Sequence, residues 1–178
     1  MRKGFTIVEV AISIFIILIA VIGVYSAFAV VVILASDNSN KFMASYLAQE
    51  GIEIVRNIRD SNWVLGQEEW NAGFVDRDQG IEVDYLTRSG NEIQPWIGDG
   101  NYLNIDVRGF YSYDTGPESK FKRKITIKHM SQESGGAMLV SVEVTWQKNA
   151  TILSHQEPAG ACGELNCVKM EEYMYDWY

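Results

Sequence analysis

The residues of this chain whose types and spacing could do chemistry begin at its N-terminus. Arg2 and Lys3 are followed by Gly4 and Phe5, and the next charge is a single acid, Glu9. Cutting the Gly4–Phe5 bond would release only a cationic tetrapeptide. It would leave a new α-amine on Phe5, one helical turn from Glu9. An ammonium and a carboxylate at that spacing are complementary, and each is costly to bury alone. Further along, Cys162 and Cys167 in CGELNC are compatible with a disulfide if their domain is exported. Zinc would need more ligands than two cysteines, and His129 and His155 stand at no ligand spacing from them. Asp76, Asp78 and Gly80 start like a calcium loop but lack its later acids and terminal Glu, so a polar turn is expected. Lys120, Lys122, Arg123, Lys124 and Lys128 form a basic cluster around Phe121. That composition suggests DNA, but alternating lysines also blunt an exposed strand edge, and the edge or solvated-face reading is preferred. No nucleophile elbow, phosphate loop or paired acid–base carboxylates occur, so the expectation is a non-enzyme without cofactor or metal.

The elements that must position these groups follow from hydropathy. Val10 to Ser36 is a run of 27 uncharged residues. As a helix it would be about 40 Å long, enough to cross a bilayer with some tilt. Arg2 and Lys3 before the run keep the N-terminus cytoplasmic and export the rest. Glu9 beside the span is a liability of roughly 2.5–3.5 kcal/mol at the bilayer centre and less near an interface. The polar SDNSN stretch, Ser36 to Asn40, has no Gly or Pro, so the helix is expected to pass through it. Beyond it, Met43, Leu47, Val55, Ile54 and Ile58 recur at helical spacing to about Arg59. Gly51 on that face would let another element approach closely, and Arg56 and Arg59 would pair with Glu53 and Asp60 on a solvated face. Residues 61–79 read as a loop whose Trp63, Trp70 and Phe74 cover a core.

After Gly80 the period changes to two. Ile81, Val83 and Tyr85 alternate with Glu82 and Asp84 as a first strand. Tyr102–Val107 is a second, with Phe110–Tyr113 as a possible extension, and Phe121–Met130 a third. Met138–Gln147 is a fourth, pairing with the third as a hairpin with one buried and one wet face. Tyr173, Tyr175, Trp177 and Tyr178 form an aromatic tail expected to dock, through Met174 and Trp177, on the sheet or a partner. The chain of 178 residues carries a formal net charge of −8, which becomes more negative if Arg2 and Lys3 leave. This balance argues against DNA and against anionic lipid surfaces as general partners.

Gly4, Phe5, Thr6, Ile7, Val8 and Glu9, with the apolar run behind them, resemble the type IV pilin family position by position. That family includes minor pilins and type II secretion pseudopilins. AQEGIEIVRNIRD resembles the PilV-like minor pilins, and the pair KRKITIKHM and VSVEVTWQKNATI is similar to the strands of PilV-like and pseudopilin I-like chains. The resemblance implies an α+β pilin fold: one long N-terminal helix whose C-terminal half packs on an antiparallel sheet of about four strands. It implies a leader at 1–4, a transmembrane and filament-core helix at 5–36, its amphipathic half at 37–60 and an exported globular region at 61–178. It further implies a prepilin peptidase that cuts between Gly4 and Phe5 and N-methylates Phe5, with Glu9 as the assembly contact. The implied partners are other pilin or pseudopilin subunits, an inner-membrane assembly platform and, before assembly, membrane lipid. Cys162 and Cys167 depart from the larger disulfide loop usual in the family. The function implied is a subunit, minor rather than major, of a pilus-like filament at the cell surface. The alternatives are a secretion or competence pseudopilin in the periplasm, an adhesive or DNA-binding module on a pilin stem, and a signal-anchored enzyme.

Overall fold

A computed structural model describes residues 4, 6–66, 69–74, 80–88, 90–130, 136–147, 162 and 166–176. The chain forms two compact units, Met1–Asn40 and Lys41–Tyr178, and helix α1, Ile7–Val64, contributes to both. In the first unit every residue from Thr6 to Ser36 is exposed. The mean hydropathy of its most apolar window is 3.0, and the helix is long and apolar enough to cross a membrane. Ser13 Oγ donates to the Glu9 carbonyl at 2.8 Å and Ser26 Oγ to the Ile22 carbonyl at 3.0 Å. These hydroxyls are thus satisfied within the helix itself.

In the second unit α1 buries Ala44, Leu47, Ala48, Ile52, Val55 and Ile58, a stripe at helical spacing that faces a sheet. The helix passes through SDNSN as expected, but it runs to Val64 rather than stopping near Arg59. Gly66, at φ 67°, accepts the left-handed conformation after the last turn, and its N–H donates to the Trp63 carbonyl at 3.1 Å. Asn62 is buried and donates to the Trp70 and Ala72 carbonyls, so the start of the expected 61–79 loop is in fact helix that ties the next segment down. Phe74 is buried in the core with Trp70 packed against it, whereas Trp63 is exposed.

The sheet is antiparallel and has seven strands, more than the four expected: β1 Ile81–Glu82, β2 Gln94–Pro95, β3 Tyr102–Ile105, β4 Tyr111–Ser112, β5 Glu118–His129, β6 Ala137–Trp146 and β7 Cys167–Tyr175. The arrangement of a long helix on an antiparallel sheet is α+β. β5 is central. It pairs with β6 from Phe121↔Trp146 to His129↔Met138, and with β1 and β3 on its other side. The edge-strand reading therefore fails at Lys122 and Lys124, where β3 and β1 cover that side of β5 as far as Ile125. β7 pairs with β6 from Ala137↔Tyr175 to Thr145↔Cys167, so the C-terminal tail docks as a strand, with Met174 buried in the core. Trp177 and Tyr178 lie outside the described residues.

The inner face of β6 carries Met138, Val140, Val142, Val144 and Trp146, all buried as the alternation predicts, but the other face is not wet, since Ser141 and Thr145 are buried as well. Burial of side chains of this size stabilises by about 1.5–3 kcal/mol each. Gly51 fulfils its expected role. A Cβ there would lie 3.0 Å from Val142 Cγ1, 3.2 Å from Arg123 Cδ and 3.3 Å from Ile125 Cδ1. The alternation expected over 81–85 fails, since Glu82 and Asp84 are as buried as Ile81 and Val83. Both acids are satisfied by hydrogen bonds, in part from residues distant in sequence. Glu82 accepts from the Asn101 amide at 2.7 Å and its side chain at 2.8 Å, and Asp84 accepts from the Leu86 and Tyr113 amides.

Candidate functional site

The candidate site at the N-terminus is built by the first turn of α1. Gly4 is exposed, and a Cβ on it would meet nothing within 4 Å. Thr6 caps the helix: its Oγ1 accepts from the Glu9 amide at 3.3 Å and its carbonyl accepts from the Val10 amide at 3.3 Å. Such a cap contributes about 1 kcal/mol. Thr6-x-x-Glu9 is the spacing of a capping box, a signal present in the sequence that the cleavage-site reading did not use. Glu9 lies in the first turn, where the helix dipole favours an anion. It is exposed, and among the described residues none donates to its carboxylate. Residue 5 precedes it by four positions in the sequence. Phe5, Arg2 and Lys3 lie outside the described residues. The first turn thus holds an available carboxylate at a fixed depth on an apolar helix.

The basic cluster does not make one surface. Lys120, Lys122, Lys124 and Lys128 sit at alternate positions of β5, and Arg123 points to the opposite face, beneath α1. Arg123 is fully buried. Its Nη1 donates to the Leu47 carbonyl at 3.1 Å and the Glu50 carboxylate at 3.2 Å, and its Nη2 donates to the Val83 carbonyl at 2.7 Å. The Tyr113 hydroxyl donates to the Arg123 carbonyl at 2.8 Å, and burial pushes its pKa up. Reading Arg123 with the surface lysines was therefore wrong, although its register with Phe121, Ile125 and Ile127 marked it as inward. Lys122 is also buried, 4.5 Å over the Tyr102 ring, with Nζ donating to the Asp99 carbonyl at 3.3 Å. Lys124 lies 5.9 Å over Trp96.

On α1, Arg56 pairs with Glu53 and with Glu172 of β7, and these two carboxylates raise its pKa. Arg59 pairs with Asp60 at 2.7 Å, but it is buried rather than on a solvated face. Cys162 and Cys167 are joined, with Cα atoms 5.4 Å apart, and the Cys162 amide donates to Glu143 at 3.2 Å. The bond anchors the start of β7 against β6. Asp76, Asp78 and His155 lie outside the described residues. Among the described residues no group of three or more His, Cys, Asp or Glu could hold a metal.

A family model, the prokaryotic N-terminal methylation motif, matches residues 1–25, a span that contains Gly4, Phe5, Thr6, Glu9 and the first half of the apolar run. No curated protein and no solved structure matches the chain.

Proposed function

Starting from the premise that the chain is type IV pilin-like, we propose that it is a minor subunit of a pilus-like filament, processed between Gly4 and Phe5 and N-methylated on Phe5. The observation that carries this reading is the coincidence of the methylation motif with a capped helix whose apolar first part holds one acid, Glu9, with no donor among the described residues. The apolar helix and the motif fit a membrane-anchored protein. In this reading the precursor sits in the cytoplasmic membrane with Arg2 and Lys3 inside and residues 61–178 exported. A prepilin peptidase removes the cationic tetrapeptide. Gly4 suits the junction because it leaves the backbone open to close approach.

The product helix then exchanges lipid for the helices of other subunits, drawn in by an assembly platform in the inner membrane. Glu9 accepts the Phe5 ammonium of a neighbouring subunit. That contact relieves two groups that are each unfavourable alone in an apolar setting, and so fixes axial register. Cys162–Cys167 persists because the exported side is oxidising.

The test is N-terminal mass spectrometry of membrane and sheared-fibre fractions, wild type beside Glu9→Ala. Wild type is expected as a methylated Phe5 form in both fractions. Glu9→Ala is expected to be cut and methylated in the membrane and depleted about tenfold or more from fibres, the factor that about 1.4 kcal/mol supplies. Equal incorporation of Glu9→Ala would remove the charge-pairing role. A wild-type chain found uncut, or only in short periplasmic assemblies, would replace the pilus reading with the anchored or pseudopilin one.

A further inference from the structure

Strand β7 is the longest edge of the sheet. It has nine residues, and among the described residues only β6 pairs with it. The other outer strands, β2 and β4, have two residues each. An open edge invites a further strand, and folds blunt theirs with proline, a bulge, charge or a short length. β7 contains neither Pro nor Gly, and its register with β6 runs without a shift from Ala137↔Tyr175 to Thr145↔Cys167. Its one cation is Lys169, with Glu171 two positions on along the same outward row. Beside this edge, between α1 and β7, runs a groove of about 740 Å³ with Tyr46, Ile52 and Met170 as its apolar lining. Val168 and Met170 pack against the core on that side, yet both are only half-buried. A strand added to β7 would set its own helix-facing side chains over this groove and finish covering them.

The acids of the groove do not choose the occupant, because Glu50, Glu53, Glu171 and Glu172 each have a cation already. The order of charges along β7 does. In an antiparallel self-pair that continues the sheet, outward residues oppose outward ones, so the pair is centred on one residue. Centring on Lys169, Glu171 or Glu172 sets like charges face to face, which is destabilising. Centring on Met170 sets Lys169 opposite Glu171 on both sides of the axis and Met170 opposite Met170. Val168 then opposes Glu172, whose charge Arg56 holds. Within its own chain Lys169 Nζ lies 2.8 Å from Glu171 and 3.8 Å from Glu143. An ammonium has three donors, so the Glu171 of a second copy adds to these contacts and displaces neither. The four side chains around the axis alternate in sign.

We propose that β7 of one copy pairs antiparallel with β7 of a second copy of this chain, centred on Met170, so that Val168 and Met170 of each cover the groove of the other. Both copies use the same surface. The contact is therefore a closed two-fold pair and does not propagate. It describes the chain outside a filament, and so goes beyond the filament-subunit reading without resting on it.

The test uses the full-length chain in detergent. Under mild oxidation Met170→Cys is expected to cross-link to itself, since opposed residues of an antiparallel pair have Cα atoms about 4.5–5.5 Å apart, within disulfide reach. Glu171→Cys is expected to link to Lys169→Cys and not to itself. In the Met170→Cys background, Lys169→Glu and Glu171→Lys each lower the self-link about tenfold, because two like-charge oppositions replace two attractive ones. Mixed as two differently tagged forms, these two variants link to each other at the yield of the parent, since every Glu at 169 or 171 then faces a Lys. Loss of fold in either variant could not produce that recovery. Self-linking of Glu171→Cys as readily as of Met170→Cys overturns the register. A mixture that links no better than either variant alone overturns the pairing, as does absence of the Met170→Cys self-link. If wild type is cut at Gly4–Phe5 and enters fibres while Met170→Cys stays monomeric, the pairing falls and the filament reading stands. If wild type is not cut, the filament reading falls, and the cross-link still decides the pairing.

Discussion

Glu9 and Asp106 are two carboxylates with opposite surroundings. Glu9 has no donor among the described residues, whereas Asp106 has donors on several sides. Desolvation pushes the Asp106 carboxyl up, but the Phe110 amide, the Tyr85 hydroxyl, and the Arg108 amide and guanidinium together hold it down to about 2. A carboxylate whose folded pKa is depressed adds stability that is present above its unfolded value, near 4, and is lost as the pH falls through the folded value. The β3–β4 turn is therefore expected to stay ordered at pH 5 and to loosen between about pH 4 and pH 2. The measurement is the exchange rate of the Arg108 and Phe110 amides against pH. Asp106→Asn should remove the acid-dependent step, and exchange that stays flat over that interval would contradict this account.

Between elements, Arg123 is the clamp. It reaches from β5 to the Leu47 carbonyl and Glu50 of α1 and to the Val83 carbonyl, beside the gap that Gly51 leaves. Removing one partner of a buried charged network costs about 3–5 kcal/mol. Arg123→Ala should lower the unfolding free energy of the detergent-solubilised chain by that order, while Lys128→Ala, at an exposed position on the same strand, should change it by less than about 0.5 kcal/mol. Equal effects at the two positions would refute the clamp. The α1–sheet packing was legible because Leu47, Val55 and Ile58 repeat at helical spacing and Val140 to Trp146 alternate. The helix end was also written in the sequence, in Gly66. β7 was not legible from local pattern. Glu172 occupies an inward position of that strand, and its partner is Arg56, 116 residues earlier. The alternation at 81–85 misled for the same reason, since Glu82 and Asp84 are inside because distant amides meet them. At the N-terminus Gly4, Phe5 and Glu9 could be singled out by residue type and spacing, whereas the Thr6 cap needed the helix start to be placed.

At the scale of the whole molecule, the chain joins an apolar first unit to a second that carries nearly all of its acidic charge. Gly4→Val should leave the precursor uncut, with Arg2 and Lys3 retained. The measurement is an intact mass about four residues heavier in membranes, with no chain in the fibre fraction. A normal mature mass for Gly4→Val would show that the cut does not depend on Gly4. Ser13 and Ser26 give their hydroxyl protons to their own helix, as the backbone amides do. Their hydrogen bonds are thus indifferent to whether hydrocarbon tails or other helices surround them. A helix so closed upon itself can change medium without a bond being traded, which makes it a reusable dry surface. Glu9 is the acid on it that would register the difference between the two media.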